Sequence, residues 1–296
     1  MNSMKVPALF AAAVALRILV GPVGAYNEQR RPQPPKTPRL YVFDCGTLQG
    51  DPARFSLKRE EMATSDMSVA CYLVVHPSGA LMWDTGAVPD MDVKFENQPI
   101  RHRIVLGNTD RYVTLAKSLR GQLAEAGYAP ADITYVALSH NHWDHTANAN
   151  AFASATWLVR QVERDAMFGE KPPDLIRRET FKALRNSKTV LIKSDDYDVF
   201  GDGSVVIKWA PGHTPGHQVL FVKLAKTGPV LLSGDLYHYP EERTLDRVPT
   251  FEADPARTRL TRRAIDAFLK GSGAQLWIQH DFKANAPLKK GPAFYD

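Results

Sequence analysis

Three histidines and an aspartate occur within six residues, at His140, His142, Asp144 and His145, directly after the apolar run 133–138. On a helix, His140 and His142 would diverge by about 200°. On an extended loop that leaves a strand, the two imidazoles can converge on one metal ion, and Asp144 and His145 can turn toward a second. Imidazole nitrogen and carboxylate oxygen without thiolate suit zinc, with iron, manganese and cobalt as less selective alternatives.

Three later apolar runs also end in residues of metal-ligating type: His213, Asp235 and His280. We predict that His213 joins His140 and His142 around the first ion. His280 would join Asp144 and His145 around the second, and Asp235 would lie between the two ions. His217 is expected to support the loop of His213 rather than to bind metal, because one more imidazole would close the coordination position that catalysis needs.

Short runs typical of strands recur along the chain, bounded by Gly, Pro and Asp. They are residues 40–45, 69–75, 80–84, 133–138, 155–159, 189–192, 205–210, 218–223, 229–233 and 275–279. Helical spacing of apolar residues is found in 109–126 and 255–270, each followed by glycine. We therefore predict a mixed α/β fold in which two sheets pack together with helices outside.

The first 25 residues read as a signal peptide, because Lys5 precedes an apolar run and small residues follow at 23–25. An uncleaved N-terminal anchor is the alternative, since Arg17 interrupts the apolar stretch. Residues 26–39 are rich in Pro and Arg and predict a linker, so the catalytic domain would span 40–296. The protein is then expected in the periplasm or secreted, without stable membrane insertion after cleavage.

The two cysteines, Cys45 and Cys71, lie in predicted strands, where they could pair in an oxidising compartment or remain buried thiols. Without residues 1–25 the chain loses Lys5 and Arg17 and no acids, which leaves 35 basic and 32 acidic side chains and a formal charge of +3. So small a surplus indicates no nucleic-acid partner. The oligomeric state, including a homodimer, is left open by the sequence.

The histidine-rich stretch His140-Asn141-His142-Trp143-Asp144-His145, with His213, Asp235 and His280, resembles the metallo-β-lactamase superfamily. Other shared segments are Trp83-Asp84-Thr85-Gly86 and Pro211-Gly212-His213-Thr214-Pro215-Gly216-His217. The resemblance covers most of the chain from Leu40 onward and is greatest to the N-acyl-homoserine lactonases. It implies an αβ/βα sandwich with a binuclear metal site at one edge.

For such a site the two divalent ions carry +4, and Asp144, Asp235 and a bridging hydroxide carry −3, so about one positive charge remains to attract a carbonyl oxygen. The implied function is opening of the lactone ring of N-acyl-homoserine lactones by attack of that hydroxide. A small-molecule lactone is then the expected substrate. Asp144 is expected to pass the proton to the departing ring oxygen.

The main alternative is a thioester hydrolase similar to glyoxalase II, which usually has a helical C-terminal extension that holds glutathione; only 16 residues, 281–296, follow His280 here. Another lactone or ester remains open as the substrate. A β-lactam is less favoured, because the lactamases usually carry Cys or Ser in the place of Asp235. A non-catalytic metal-binding protein would be expected to lack ligands, and all seven ligand positions are filled.

One departure from the lactonase pattern concerns the third residue after the bridging aspartate. The lactonases usually have a tyrosine there that assists the substrate carbonyl, whereas this chain has His238, flanked by Tyr237 and Tyr239. The sequence leaves open which of the three assists the carbonyl, or whether all three only line a corner of the fold.

Overall fold

The computed structural model describes residues 32–95, 98–107, 109–171 and 173–296, together with Met1. Apart from Met1, the predicted signal peptide lies outside the described residues, as does the start of the predicted linker. Residues 32–38 have no regular structure, but Pro35 and Pro38 are buried. The compact unit begins at Pro32, and its first strand begins at Arg39.

Fourteen strands and seven α-helices make up the described part of this unit. The strands are β1 (Arg39–Gln49), β2 (Asp66–His76), β3 (Gly79–Trp83), β4 (Ile100–Leu106), β5 (Thr109–Leu115), β6 (Tyr135–Ala137), β7 (Thr156–Val159), β8 (Thr189–Leu191), β9 (Asp196–Asp198), β10 (Val205–Trp209), β11 (Gln218–Leu224), β12 (Gly228–Leu232), β13 (Gln275–Trp277) and β14 (Phe294–Tyr295). The helices are α1 (Leu119–Glu125), α2 (Trp143–Thr146), α3 (Gln161–Phe168), α4 (Arg178–Phe181), α5 (Pro240–Thr244), α6 (Pro255–Ser272) and α7 (Phe282–Asn285). Short 3-10 helices are Pro52–Phe55, Arg59–Glu61, Pro130–Asp132, Ala149–Phe152, Lys182–Asn186 and Gly234–Leu236.

The strands form two sheets. The first has the order β4-β5-β1-β2-β3-β6-β7-β8, with β14 paired to β1, and the second has the order β13-β12-β11-β10-β9. The pairings of β3 with β6, of β6 with β7 and of β7 with β8 are parallel, as is that of β12 with β13. The other pairings are antiparallel, so both sheets are mixed, as predicted.

Alternate side chains of β1 enter different cores. Leu40 and Val42 face the second sheet, where they share an apolar cluster with residues such as Val222. Tyr41 and Phe43 belong to the cluster on the other side of the first sheet. Helix α6 packs Ile265 and Leu269 on the outer face of the second sheet. These layers confirm the predicted sandwich with helices outside.

One predicted helix is wrong in its first half. The segment 109–126 begins as strand β5, which pairs with β4 in a hairpin, and only Leu119–Glu125 is helical. Val113 and Leu115 are buried on one face of β5, and their spacing of two residues fits a strand. The β4 strand was not predicted, because Arg101 and Arg103 interrupt its apolar residues. This hairpin carries part of the pocket described below.

The two cysteines are paired. Cys45 on β1 and Cys71 on β2 form a disulfide, which settles the alternative that the sequence left open. No helix among the described residues is both long enough and apolar enough to cross a bilayer.

Candidate metal centre and active-site pocket

The histidine-rich segment lies at the end of β6, where the chain leaves the first sheet. His140 and His142 lie in a loop, and Asp144 and His145 lie in the first turn of α2. Asp84, at the end of β3, holds this segment: its Oδ1 accepts a 2.6 Å hydrogen bond from the backbone of Ser139, and its Oδ2 lies 2.9 Å from Nδ1 of His145. The segment is thus positioned from the neighbouring parallel strand.

The loop after β10 brings His213 to the same place. Gly212 has φ of +141°, and a Cβ there would overlap the backbone of Thr258 at the start of α6. Such a close approach in the left-handed region requires glycine. The loop is also tied to Glu163 of α3, which accepts hydrogen bonds from the hydroxyl of Thr214 (2.9 Å) and the amide of Gly216 (2.9 Å).

Two groups of potential metal ligands result. The first consists of His140, His142, His213 and Asp235, all buried, and the second of Asp144, His145 and His280. Within each group the candidate ligand atoms all lie within 4.8 Å of one another. The structure therefore brings together all seven residues proposed from the sequence, in the two groups expected.

Asp235 lies between the groups, with its two oxygens facing different histidines. Oδ2 lies 3.5 Å from Nε2 of His140 and 3.3 Å from Nε2 of His213. Oδ1 lies 3.0 Å from Nε2 of His145 and 3.1 Å from Nε2 of His280. A carboxylate placed in this way can bridge two ions.

These spacings fit metal coordination. Ligand atoms at about 2.0–2.2 Å from a tetrahedral ion lie roughly 3.3–3.6 Å apart, close to the separations around Asp235. Nε2 of His140, His145 and His280 and Oδ1 of Asp235 are buried and have no hydrogen-bond partner. Buried polar atoms are rarely left unsatisfied, so the donor set is suited to two divalent metals.

The other nitrogens of the ligand histidines are held by polar partners. Nδ1 of His213 lies 2.7 Å from Oε1 of Glu252, and Nδ1 of His280 lies 2.7 Å from the carbonyl oxygen of Ser68. Such contacts fix the orientation of a ligand ring. Glu252 and Asp84 were not predicted as site residues. The sequence pattern could have indicated Asp84, because it ends a strand within a segment shared with the family. No sequence pattern indicates Glu252.

The charges in the centre shift one another's pKa values. Burial would raise the pKa of Asp235, but the surrounding histidines, His145 and His280 foremost, hold it well below its usual range. Burial lowers the pKa of His140 well below its usual range, and the nearby His145 lowers it further. An ionised carboxylate beside a neutral imidazole is the state in which both bind metal.

His217 lies beside the centre but has a different arrangement. Its Nδ1 lies 2.8 Å from the carbonyl oxygen of Ala210, and its Nε2 accepts a 2.9 Å hydrogen bond from the backbone of Asp235. Nε2 therefore joins the 211–217 loop to the segment that carries Asp235, while Nδ1 holds the ring against Ala210 at the start of that loop. Burial, and then the nearby His213, lower the pKa of His217 to about 4.

The side chains of residues 237–239, shortly after Asp235, point in different directions. His238 faces the centre, with Nε2 3.1 Å from Oδ2 of Asp235. Tyr237 lies in the apolar cluster on the outer face of the second sheet. The guanidinium of Arg262 lies over its ring, 4.2 Å from the ring centroid of Tyr237. The hydroxyl of Tyr239 donates to the carbonyl of Ser65 at 2.9 Å. His238 is thus the member of this trio placed to contact a substrate.

A pocket with a cavity volume of about 50 Å³ opens over the centre. Its lining combines residues of the centre with apolar and basic side chains: Leu48, Gly50, Arg54, Phe55, Met67, Thr109, Arg111, His142, Trp143, Asp144, Leu175, Asp235, His238 and Phe251. The β5 strand contributes Thr109 and Arg111, so the hairpin that the sequence did not predict forms one wall. Asp144 is the ligand-type residue with the most exposed side chain of the seven, at 13%.

Residues 64–272 match the family described as the metallo-beta-lactamase superfamily. The chain belongs to this superfamily. Its relatives include the N-acyl homoserine lactonase AttM of Azorhizobium caulinodans, which is 30% identical over 268 residues, covering 87% of this chain and 98% of the relative. The N-acyl homoserine lactonase AiiA of Bacillus thuringiensis subsp. kurstaki is 26% identical over 256 residues, covering 86% and 98%.

A solved N-acyl homoserine lactone hydrolase with its product N-hexanoyl-L-homoserine at the catalytic metal centre has the same fold, with a TM-score of 0.70 and 24% identity, covering 87% of this chain and 99% of that one. The metallo-β-lactamase fold predicted from the sequence is thus confirmed, as is the assignment to a hydrolase superfamily whose similar members are named as lactonases.

Proposed function

We propose that this protein opens the lactone ring of N-acyl-homoserine lactones with two divalent metal ions, for which zinc is the best-suited metal. The observation that carries the proposal is the position of Asp235, whose two oxygens face two separate groups of ligands at the floor of an accessible pocket. Relatives that this chain matches over 98% of their length are named as lactonases of this substrate class.

His140, His142 and His213 would hold one ion, Asp144, His145 and His280 the other, and Asp235 would bridge them. The chemistry that two such ions would supply when bound is Lewis-acid activation of the lactone carbonyl and of the attacking water. The chain's own residues then have to orient the ring and manage the proton.

His238 is proposed to hydrogen-bond the oxygen of the substrate. Burial would lower the pKa of His238, but the carboxylates of Asp235 and Glu242 raise it to about 10, which favours the protonated ring. A protonated imidazole is a charge-assisted donor to an oxygen that gains negative charge. This role corresponds to that of the tyrosine in the lactonase pattern.

Asp144 is proposed to pass a proton to the departing ring oxygen. One of its oxygens lies 3.9 Å from Nε2 of His145 and the other 3.8 Å from Nε2 of His280, while the side chain lines the pocket. Its side chain is the more exposed of the two carboxylates of the centre, at 13% against 4% for Asp235. The direct test is to incubate the metal-loaded protein with N-hexanoyl-homoserine lactone and to look for the ring-opened acid by mass spectrometry, with release of about one proton per turnover.

We also propose that the protein is exported, with cleavage near Tyr26, and acts in the periplasm or outside the cell. The disulfide between Cys45 and Cys71 supports export, because disulfides persist mainly in oxidising compartments. N-terminal sequencing of the protein from its host tests this proposal. A chain that begins near Tyr26 would support it, and a chain that retains Met1 would refute the cleavage.

A further inference from the structure

Two arginines line the pocket beside the metal centre, and neither belongs to the proposed hydrolytic machinery. Arg54 lies in the 3-10 helix Pro52–Phe55, and Arg111 lies on β5. Both side chains are half-buried. The two arginines are far apart in the sequence, yet they line the same pocket as Asp144 and His238.

Within the described part of the chain, neither guanidinium forms an ion pair with an acid. Among the described residues, no carboxylate lies within ion-pair distance of Arg54, whose guanidinium lies 4.8 Å from the ring centroid of Phe251. Arg111 donates to the backbone carbonyl of Asp110 at 3.0 Å. The carboxylate of Asp110 instead accepts two hydrogen bonds from Arg103, of 2.9 and 2.7 Å. Two cations therefore face the pocket with no ion pair to an acid among the described residues.

The two cations are also close enough to repel each other. Burial is the main cause that lowers the pKa of Arg54, and the charge of Arg111 is the next, while Asp51 and Asp144 oppose the shift. Partial burial of unpaired like charges is unfavourable. Within a substrate pocket, such an arrangement would be relieved by an anion between the guanidinium groups, and planar guanidinium groups bind carboxylates through paired hydrogen bonds.

We propose that Arg54 and Arg111 form a subsite for an anionic group of the substrate, so that the preferred substrate is a lactone or ester that carries a carboxylate close to its scissile bond. This inference rests on the proposed lactonase function and names its substrate class. Arg54 and Arg111 line the same pocket as Asp144 and His238, so the subsite lies near the centre, which favours a short acyl group that ends in a carboxylate. Leu48, Phe55 and Phe251 would contact the methylene groups of such a chain.

Matched substrates test the proposal by kinetics. Succinyl-homoserine lactone and butanoyl-homoserine lactone differ in one terminal group, carboxylate against methyl, and glutaryl- and pentanoyl-homoserine lactone form a second pair. We expect kcat/KM to be about tenfold or more higher for the acid of at least one pair. Arg54→Met and Arg111→Met should each remove most of this preference. Arg54→Lys, which keeps the charge without the planar fork, should retain part of it.

Arg263→Met is the matched control, because it removes the same charge from an exposed position on α6. It should leave the preference for the acid unchanged. Circular dichroism and metal content would confirm that each variant is folded and loaded. If wild-type enzyme hydrolyses acid and neutral partners equally well, or if both arginine variants lose activity on both partners alike, the subsite is refuted while the lactonase proposal stands.

Binding provides a readout that does not depend on lactone hydrolysis. N-cyclopentylsuccinamic acid and N-cyclopentylbutanamide replace the lactone by an inert ring and can be titrated into the metal-loaded protein by calorimetry. We expect about tenfold tighter binding of the acid, which is lost in Arg54→Met and Arg111→Met and kept in Arg263→Met. A preference for the acid that survives both changes would mean that the carboxylate binds the metals, and it would overturn the proposal. An arginine-dependent preference in a protein that hydrolyses no lactone would support the subsite and refute the lactonase function.

Discussion

Nε2 of His238 lies 3.1 Å from Oδ2 of Asp235, the same oxygen that faces His140 and His213. On the other side of the ring, Nδ1 of His238 lies 3.2 Å from Oε1 of Glu242. The imidazole therefore lies between a carboxylate of the metal centre and a carboxylate behind it. Its orientation toward the pocket is set by the fold.

Replacement of His238 by Phe should lower kcat/KM for the lactone about tenfold or more, because a hydrogen bond that strengthens in the transition state is lost. His238→Tyr should recover part of the rate, since a phenol can also donate to the carbonyl. Tyr237→Phe and Tyr239→Phe are the controls and should change kcat/KM less than about twofold, because both hydroxyls lie away from the centre. A full rate in His238→Phe would exclude the proposed role.

Glu242 is fully buried and forms an ion pair with Arg262, accepting a 2.7 Å hydrogen bond from its Nη2. Glu242→Gln should lower the free energy of unfolding by about 3–5 kcal/mol, because the buried guanidinium loses its counter-charge. The exposed pair Arg243–Asp266 provides the comparison, and Asp266→Asn should cost less than about 1 kcal/mol. Urea denaturation measures both. Equal effects of the two changes would contradict the role given to Glu242 in holding the segment around His238.

Asp235→Asn should reduce the bound metal from about two equivalents per chain to one or less, because a neutral amide bridges two cations poorly. Elemental analysis after dialysis against zinc measures this content. Asp165→Asn, at an exposed position on α3, should leave the stoichiometry unchanged. A wild-type protein that holds only one equivalent in saturating zinc, iron or manganese would contradict the binuclear assignment.

Glu163 should make stability depend on pH. Burial raises the pKa of this carboxyl from its ordinary 4.5 to about 7, although hydrogen bonds from Thr214 and Gly216 oppose the shift. Between these two pH values the folded state retains a proton that the unfolded state releases, so this group's contribution to stability is full below pH 4.5 and is lost as the pH rises toward 7.

As the pH rises across this window, the free energy of unfolding should therefore fall less for Glu163→Gln than for the wild type. The two decreases should differ by up to about 3 kcal/mol. Urea denaturation at a series of pH values measures the two curves. Glu170→Gln, at an exposed carboxyl, should follow the wild type. Parallel curves for Glu163→Gln and the wild type would show that Glu163 keeps an ordinary pKa.

The sequence could predict most strands because they are buried on one or both faces and therefore carry apolar runs, such as Val69–Val75 within β2. It failed at the β4–β5 hairpin, where charged side chains on the open face hide the alternation in β4 and where Val113 and Leu115 also fit a helical spacing. Arg111, which that hairpin carries into the pocket, was missed for the same reason.

The ligand-type residues were predictable because each follows a strand and has a side chain suited to metal. The residues that hold the site residues in place could not be predicted, because their contacts depend on tertiary folding. Glu252 reaches His213 across 39 residues, and Arg262 reaches Glu242 across 20. No local pattern marks such pairs. The direction of the side chains at 237–239 was also beyond the sequence, because it depends on how the turn Gly234–Leu236 enters the core.

The central claim is tested most directly by comparing kcat/KM of the metal-loaded protein for N-acyl-homoserine lactones, neutral and acid-bearing, with kcat/KM for S-lactoylglutathione. Both substrates offer a carbonyl to the same donor set, so the metal centre alone does not decide between them. The lactonase account predicts that at least one lactone is the better substrate, by about a hundredfold or more. A glutathione thioester hydrolysed about a hundredfold faster than every lactone would contradict it.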